Sequence, residues 1–163
     1  QGLYDVLAIL EVCPRPFSVV MKKEVANIPF LKQVFACMKA IALDRDDVRQ
    51  AMKVILQVSE EVKNGRNYLI FAEGTRSRKG NQLLDFKGGS FKSAIKAQCP
   101  IVPVAIIDSY KSFDTNSIKK LTVQVHFLKP LLYEDYKDMK STEIAKWVKS
   151  RIEETIAEYE NKE

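Results

Sequence analysis

Apolar positions in this chain fall into short blocks separated by polar turns, and the spacing within each block predicts its element. Leu3–Val12 is apolar nearly all round and stops before Cys13-Pro14, which predicts a buried helix. Phe17–Met21 is a short strand, and Phe30–Met38 repeats at helical spacing. Ala40–Leu43 is a second short strand, halting at Asp44-Arg45. Asp46–Asn64 is the clearest amphipathic helix: Ala51, Val54, Ile55, Val58 and Val62 share one face, Asp46-Asp47 start it, and Gly65 can end it. Tyr68–Phe71 is a continuous apolar strand, Ser90–Ala97 a helix after Gly88-Gly89, and Ile101–Ile107 another strand. Leu121–Leu128 alternates at strand period, and Ser141–Tyr159 closes as a helix with Ile144, Val148, Ile152 and Ile156 on one stripe.

Short apolar strands alternating with helices predict an α/β layered fold, with a largely parallel mixed sheet flanked by helices. In such folds ligands gather beyond the carboxyl ends of the strands. Two predicted strands end in polar clusters, Asp44-Arg45 and Glu73-Gly74-Thr75-Arg76. Either could be an ordinary solvated turn, but their repetition at strand ends points to a ligand site.

Composition narrows this picture only slightly. The 163 residues suit one domain with a sizeable core, and 46% hydrophobic with 29% charged residues is the balance of a globular protein. No run approaches the roughly 18 apolar residues of a membrane span. The three scattered cysteines, Cys13, Cys37 and Cys99, argue against a disulfide framework or a metal site and suit a reducing compartment. A net charge of +5 fits nucleic acid, anionic headgroups or nothing specific.

The segment FAEGTRSRKG at 71–80 carries the candidate chemistry. Arginine grips phosphate or carboxylate through a planar fork of donors, and a neighbouring glycine lets the ligand approach the main chain. Further on, DFKGGSFKSA sets Lys87 and two glycines before a helix, which reads either as an anion-facing turn or as a plain surface turn. Neither G-x-x-x-x-G-K-[ST] nor G-x-G-x-x-G occurs, so no nucleotide fold is indicated.

Several blocks in matching order carry a family likeness: VVMKKEVANIPF at 19–30, ALDR at 42–45, FAEGTRS at 71–77, FKGGSF at 86–91 and IVPVAI at 101–106. With them the chain resembles the PlsC-type 1-acyl-sn-glycerol-3-phosphate (lysophosphatidic acid) acyltransferases over at least residues 1–106. Ala72 stands where that family usually has proline. The resemblance implies a glycerolipid acyltransferase-like fold and an H-x-x-x-x-D motif at the front. The chain opens Gln1-Gly2-Leu3-Tyr4-Asp5, so Asp5 would complete the motif if histidine preceded Gln1. Residues 1–163 are accordingly read as a single acyltransferase domain, truncated at its N-terminus, with a hydrophobic anchor and the catalytic histidine upstream.

The resemblance further implies an acyl transfer to the sn-2 hydroxyl of lysophosphatidic acid from an acyl thioester, on coenzyme A or acyl carrier protein. The acceptor's phosphate would meet Arg76, with Lys22 and Arg45 as further candidates, and Glu73, Gly74 and Thr75 would shape the pocket around the glycerol. The family's apolar block at Val102, Pro103 and Val104 would support packing or the acyl chain. No cofactor or metal is implied. Chemistry explains the histidine: an alcohol is a weak nucleophile at neutral pH, and an imidazole can take its proton while a carboxylate holds the ring in the useful tautomer. Residues five apart point about 140° from one another on a straight helix, so the pair would straddle a loop and the first turn. His126, in phase with Thr122 and Gln124, reads instead as a partly solvated structural residue. Lys22, Lys23, Arg78, Lys79, Lys119 and Lys120 could meet anionic lipid, placing the protein at the cytoplasmic face of a membrane, peripheral or anchored by its N-terminus. Two other readings stay open: an acyltransferase for glycerol-3-phosphate or another lysolipid, and a non-catalytic phosphate or nucleic-acid binding module. No nucleic-acid motif supports the last.

Overall fold

Two prolines set the first turn of the chain. In the computed structural model, which describes residues 2–26, 31–44, 47–114 and 120–160, helix α1 (Gly2–Val12) ends where the Cys13 N–H bonds the Ile9 carbonyl at 2.8 Å. Pro14 and Pro16 cannot extend it, and the chain reverses into strand β1 (Phe17–Lys22). A short 3₁₀ turn (Lys23–Val25) follows, then α2 (Leu31–Cys37), β2 (Ile41–Leu43), α3 (Val48–Lys63) and β3 (Asn67–Ile70). Strand β1 lies between the other two and is parallel to both: Val20 faces Ile41 on one side and Ile70 on the other. Its Ser18 and Val19 are almost fully enclosed, as a central strand requires.

Helix α3 shows its start in the sequence. Asp47 is its cap, accepting the Arg49 and Gln50 N–H groups at 2.9 and 3.0 Å on Oδ1, an arrangement typically worth about 1 kcal/mol. Gly65, at φ +90°, supplies the left-handed residue that ends it.

The second half begins with a 3₁₀ turn (Gly88–Phe91) leading into α4 (Lys92–Ala97), then β4 (Val104–Ile107), α5 (Lys111–Asp114), β5 (Gln124–Phe127), α6 (Tyr133–Tyr136) and α7 (Ser141–Glu160). Strands β4 and β5 pair antiparallel, Val104 with Phe127 and Ile107 with Gln124, and an Ile101–Leu131 bridge extends the ladder. Parallel and antiparallel pairs flanked by helices bear out the predicted mixed α/β architecture.

Two cores result. Val6, Val19 and Phe35 join α1 and α2 to the parallel sheet. Phe91, Ala105, Ile107, Leu131 and Tyr136 meet the inner stripe of α7: Ile144, Ala145, Val148, Ile152 and Ile156. Each large aliphatic side chain buried there stabilises the fold by about 1.5–3 kcal/mol. Gly88 belongs to this contact as well. A Cβ built on it would lie 3.0 Å from Ser141 Oγ and 3.2 Å from the Thr142 nitrogen, so its role is close packing against the start of α7.

Two expectations need correction, and the predicted inner face of α3 gains a polar member. Helix α1 is not buried all round: Val6 and Ile9 are enclosed, whereas Leu7, Leu10 and Val12 are 44–51% exposed, because the sheet covers only one helix face. On α3, polar Ser59 takes an inner position, its hydroxyl donating to Ile55 O at 2.6 Å and Ser93 O at 3.3 Å, where a small side chain lets α4 approach. The outer side of α3 carries Val48, 80% exposed, with Met52 and Leu56 one and two turns on. The second correction concerns strand lengths: within 101–107 and 121–128 the strands span only 104–107 and 124–127, with Ile101 bridged separately to Leu131.

Candidate active site

Parallel pairing puts the carboxyl ends of β1, β2 and β3 on one edge, with Lys22 level with Leu43. Helix α1 joins β1 through a four-residue connection, and the charge on its first turn reaches Glu73 beyond the end of β3. Strand ends and helix start therefore converge, and Asp5 lies on that first turn. Val6, next to it, is held in the core. Asp5 Oδ1 is enclosed and has no hydrogen-bond partner among the described residues. An acceptor in that state is expensive, about 1–3 kcal/mol, and structures seldom keep one without a use.

Glu73 sits close to it. Its carboxyl is pushed above the usual range, first by burial and further by the charge of Asp5; the Leu84 N–H, donated to Oε2 at 3.1 Å, and the Lys149 cation act in the opposite direction. Gly74 then turns the chain at φ +74°, buried, its N–H on the Phe71 carbonyl at 3.2 Å. A side chain there would be strained in that conformation. Thr75 and Arg76 follow on the exposed surface, and Arg76 has no hydrogen bond or ion pair among the described residues.

The remaining candidates divide. Lys22 is exposed at the end of β1 and lies 3.5 Å from Glu24. Lys23 pairs with Asp44 beyond β2, and the Asp44 N–H donates to Gln50 Oε1 at 2.6 Å, so the second polar cluster is tied into its own neighbourhood. Arg45 lies outside the described residues. Lys87 stands at the return of the loop, its N–H on the Ala72 carbonyl at 2.9 Å. Val102 is exposed and Pro103 buried, its carbonyl accepting the Leu128 N–H. His126 stacks on Tyr159 at 4.0 Å and meets Gln124 at 3.1 Å, the structural surroundings its strand phase suggested.

Sequence reasoning missed the contribution of Lys149. Its Nζ holds Asp85 at 2.8 Å, next to the Leu84 N–H that serves Glu73. Asn81 was missed too, although Gly80-Asn81 is a turn signal. A shallow cleft of about 480 Å³ lies between residues 79–83 and the end of α7. Glu153 and Glu160 line it together with Lys79, so its charge does not favour an anion. Among the described residues no set of three or more His, Cys, Asp or Glu is placed to hold a metal, and no helix is long and apolar enough to cross a membrane.

The raised Glu73 carboxyl has a measurable consequence. The unfolded chain, with its value near 4.5, loses the proton first. Between the two values it binds fewer protons than the folded state, so stability falls as pH rises through that window, and the penalty is complete above it. Gln at this position keeps an acceptor for the Leu84 N–H without the charge. Glu73→Gln should therefore raise the thermal midpoint at pH 7 and leave it unchanged at about pH 4. A gain of equal size at both would show that burial of charge is not the cause.

Comparison with known proteins adds an independent line. The profile of the acyltransferase family matches residues 1–107. The chain is 33% identical over 159 residues to the 1-acyl-sn-glycerol-3-phosphate acyltransferase of Escherichia coli K12, covering 97% of this chain and 64% of that protein. Identity to the Salmonella typhimurium protein of the same name is 32%, with the same coverage. The chain thus spans just under two thirds of the length of these relatives. Its fold matches the crystal structure of the 1-acyl-sn-glycerophosphate (LPA) acyltransferase, PlsC, from Thermotoga maritima, with a TM-score of 0.74 and 23% identity over 96% of this chain and 61% of that one.

Proposed function

This chain belongs to the acyltransferase family, and we propose that the protein moves a fatty acyl group from an acyl thioester to the sn-2 hydroxyl of lysophosphatidic acid, giving phosphatidic acid. The PlsC-type likeness of the EGTR and IVPVAI blocks agrees with the names of its relatives. The observation that carries the mechanism is the enclosed, unpartnered Asp5 oxygen beside Glu73 at the strand ends.

In this reading an imidazole from the residue immediately before Gln1 donates one ring N–H to Asp5. Its other nitrogen takes the proton of the acceptor hydroxyl as that oxygen attacks the thioester carbonyl. The tetrahedral adduct collapses, the carbon–sulfur bond breaks, and the imidazolium returns the proton to the departing thiolate. Arg76 grips the acceptor's phosphate, with Lys22 and Arg45 adding positive charge. Glu73, Gly74 and Thr75 border the glycerol. The donor is acyl-CoA or acyl carrier protein, used as a cosubstrate; no cofactor and no metal enter the scheme.

The acceptor is a lipid, and the protein works at the cytoplasmic face of a membrane, peripherally or through an upstream anchor. Supporting this, exposed Val48 and Met52 begin α3 just after the end of β2, at the site's own edge, with basic Arg49 and Lys53 beside them. Apolar side chains with a basic border suit an anionic headgroup layer.

The test is thiol release by the full-length protein given lysophosphatidate and an acyl thioester of either carrier. Release with lysophosphatidate is expected. Faster release with glycerol-3-phosphate or another lysolipid would move the acceptor assignment. Silence with every donor and chain length would leave a phosphate-binding module in its place.

A further inference from the structure

The segment from Gly74 to Lys87 leaves the sheet and returns beside its own start, with the Leu84 N–H on Glu73 and the Lys87 N–H on the Ala72 carbonyl. Such an Ω-like loop is closed at its neck, and closure there does nothing to fix its tip. The tip is fixed by Asn81. Its Oδ1 accepts the Asp108 N–H at 2.8 Å, while its Nδ2 donates to Asp108 Oδ1 at 3.2 Å and to Glu160 Oε1 at 2.7 Å. One amide thereby joins the loop to the end of β4 and to the last residue of α7.

Asp108 is prepared for this contact. It is buried, adopts φ +66° directly after β4, and its other carboxylate oxygen accepts from Lys111 Nζ at 2.7 Å. Only a side chain with both an acceptor and a donor matches an N–H and a carboxylate together. A carboxylate at 81 would face Asp108 and Glu160 with like charge. On the loop side, Arg78 and Gly80 both hold positive φ, and a Cβ at Gly80 would meet the Tyr110 ring at 3.5 Å, so the turn between Arg76 and Asn81 packs against the residue two beyond Asp108.

We propose that Asn81 is the positioning residue for Arg76. By clamping the loop tip to β4 and α7 it holds the guanidinium at the strand-end edge, and so sets affinity for the phosphate-bearing acceptor. This rests on the phosphate role given to Arg76 above. Both partners of the clamp lie beyond residue 107, outside the stretch matched by the family profile.

The test is a double-mutant cycle on the full-length protein, with KM measured separately for lysophosphatidate and for the acyl thioester. Asn81→Ala should raise the acceptor KM about tenfold and change the donor KM less than about twofold. In an Arg76→Ala background the same substitution should add nothing, because the group it positions is gone. Glu160→Ala, at the exposed end of α7, removes one bond of the clamp and should give a smaller rise in the same direction; it carries the cycle if Asn81→Ala does not fold. Losses that multiply across the cycle, or equal changes in both KM values, would overturn the clamp while leaving the phosphate role of Arg76 intact. An unchanged acceptor KM in Arg76→Ala alone would overturn both.

Discussion

Asp5→Asn in the full-length protein should slow thiol release by about 10³- to 10⁴-fold without lowering the thermal midpoint. The two halves of that result have one origin. Asp5 offers an enclosed oxygen that nothing described donates to. For folding alone such an oxygen is a liability of about 1–3 kcal/mol, and a neutral isostere removes no bond among the described residues while its amide oxygen can still accept a ring N–H. On the proposed mechanism the value of the carboxylate for catalysis lies in the state reached midway, when the imidazole carries a second proton. The carboxylate then faces a full positive charge in a site partly closed to water. An amide of the same shape cannot supply that charge and also favours the wrong tautomer. A purely structural Asp5 predicts the reverse: lost stability with activity per folded molecule preserved. A rate loss under about tenfold, or a large drop in the midpoint, would remove Asp5 from the mechanism.

Arg76→Ala should raise KM for lysophosphatidate by about 10- to 100-fold and leave KM for the thioester within about twofold. A charge-assisted bond to a phosphate in a partly exposed site contributes about 1.5–3 kcal/mol, which sets that range. Arg76→Lys keeps the charge without the fork, and should fall between the two. The phosphate lies on the acceptor and is not consumed, so the loss belongs in binding and the maximal rate should change less. Equal loss for both substrates would mean that Arg76 supports the fold of its loop and makes no contact with the acceptor.

The features that were legible in the sequence share a short range. The stripe Ile144, Val148, Ile152, Ile156 was visible because its residues repeat along one helix, and all four are buried. The end of β3 was visible because a run of apolar residues gave way to Glu73 and Gly74, and the turn at φ +74° follows from that glycine. What the sequence hid depends on partners far along the chain. Nothing near Asn81 announces Glu160, 79 residues away, and nothing near Asp85 announces Lys149, 64 away. Helix α1 misled for a related reason. An all-round apolar pattern states that burial would be favourable, and only the neighbouring elements decide which sides receive it. Ser59 shows the converse, a polar residue enclosed because its hydroxyl reaches carbonyls on its own helix and on α4.

The position of β1 also bears on how the chain is made. Phe17 pairs with Asn67, so the central strand leaves the ribosome well before the partner that completes it, separated by roughly fifty positions. At about 5–20 residues per second that interval lasts roughly 3–10 s. During that time the side of the strand that will meet β3 keeps its amides unpaired, open to chaperones or to a neighbouring nascent copy, while β2 is already available to the other side. The edge where Asp5 and Glu73 meet is therefore assembled only after the sheet beneath it has waited for its last strand.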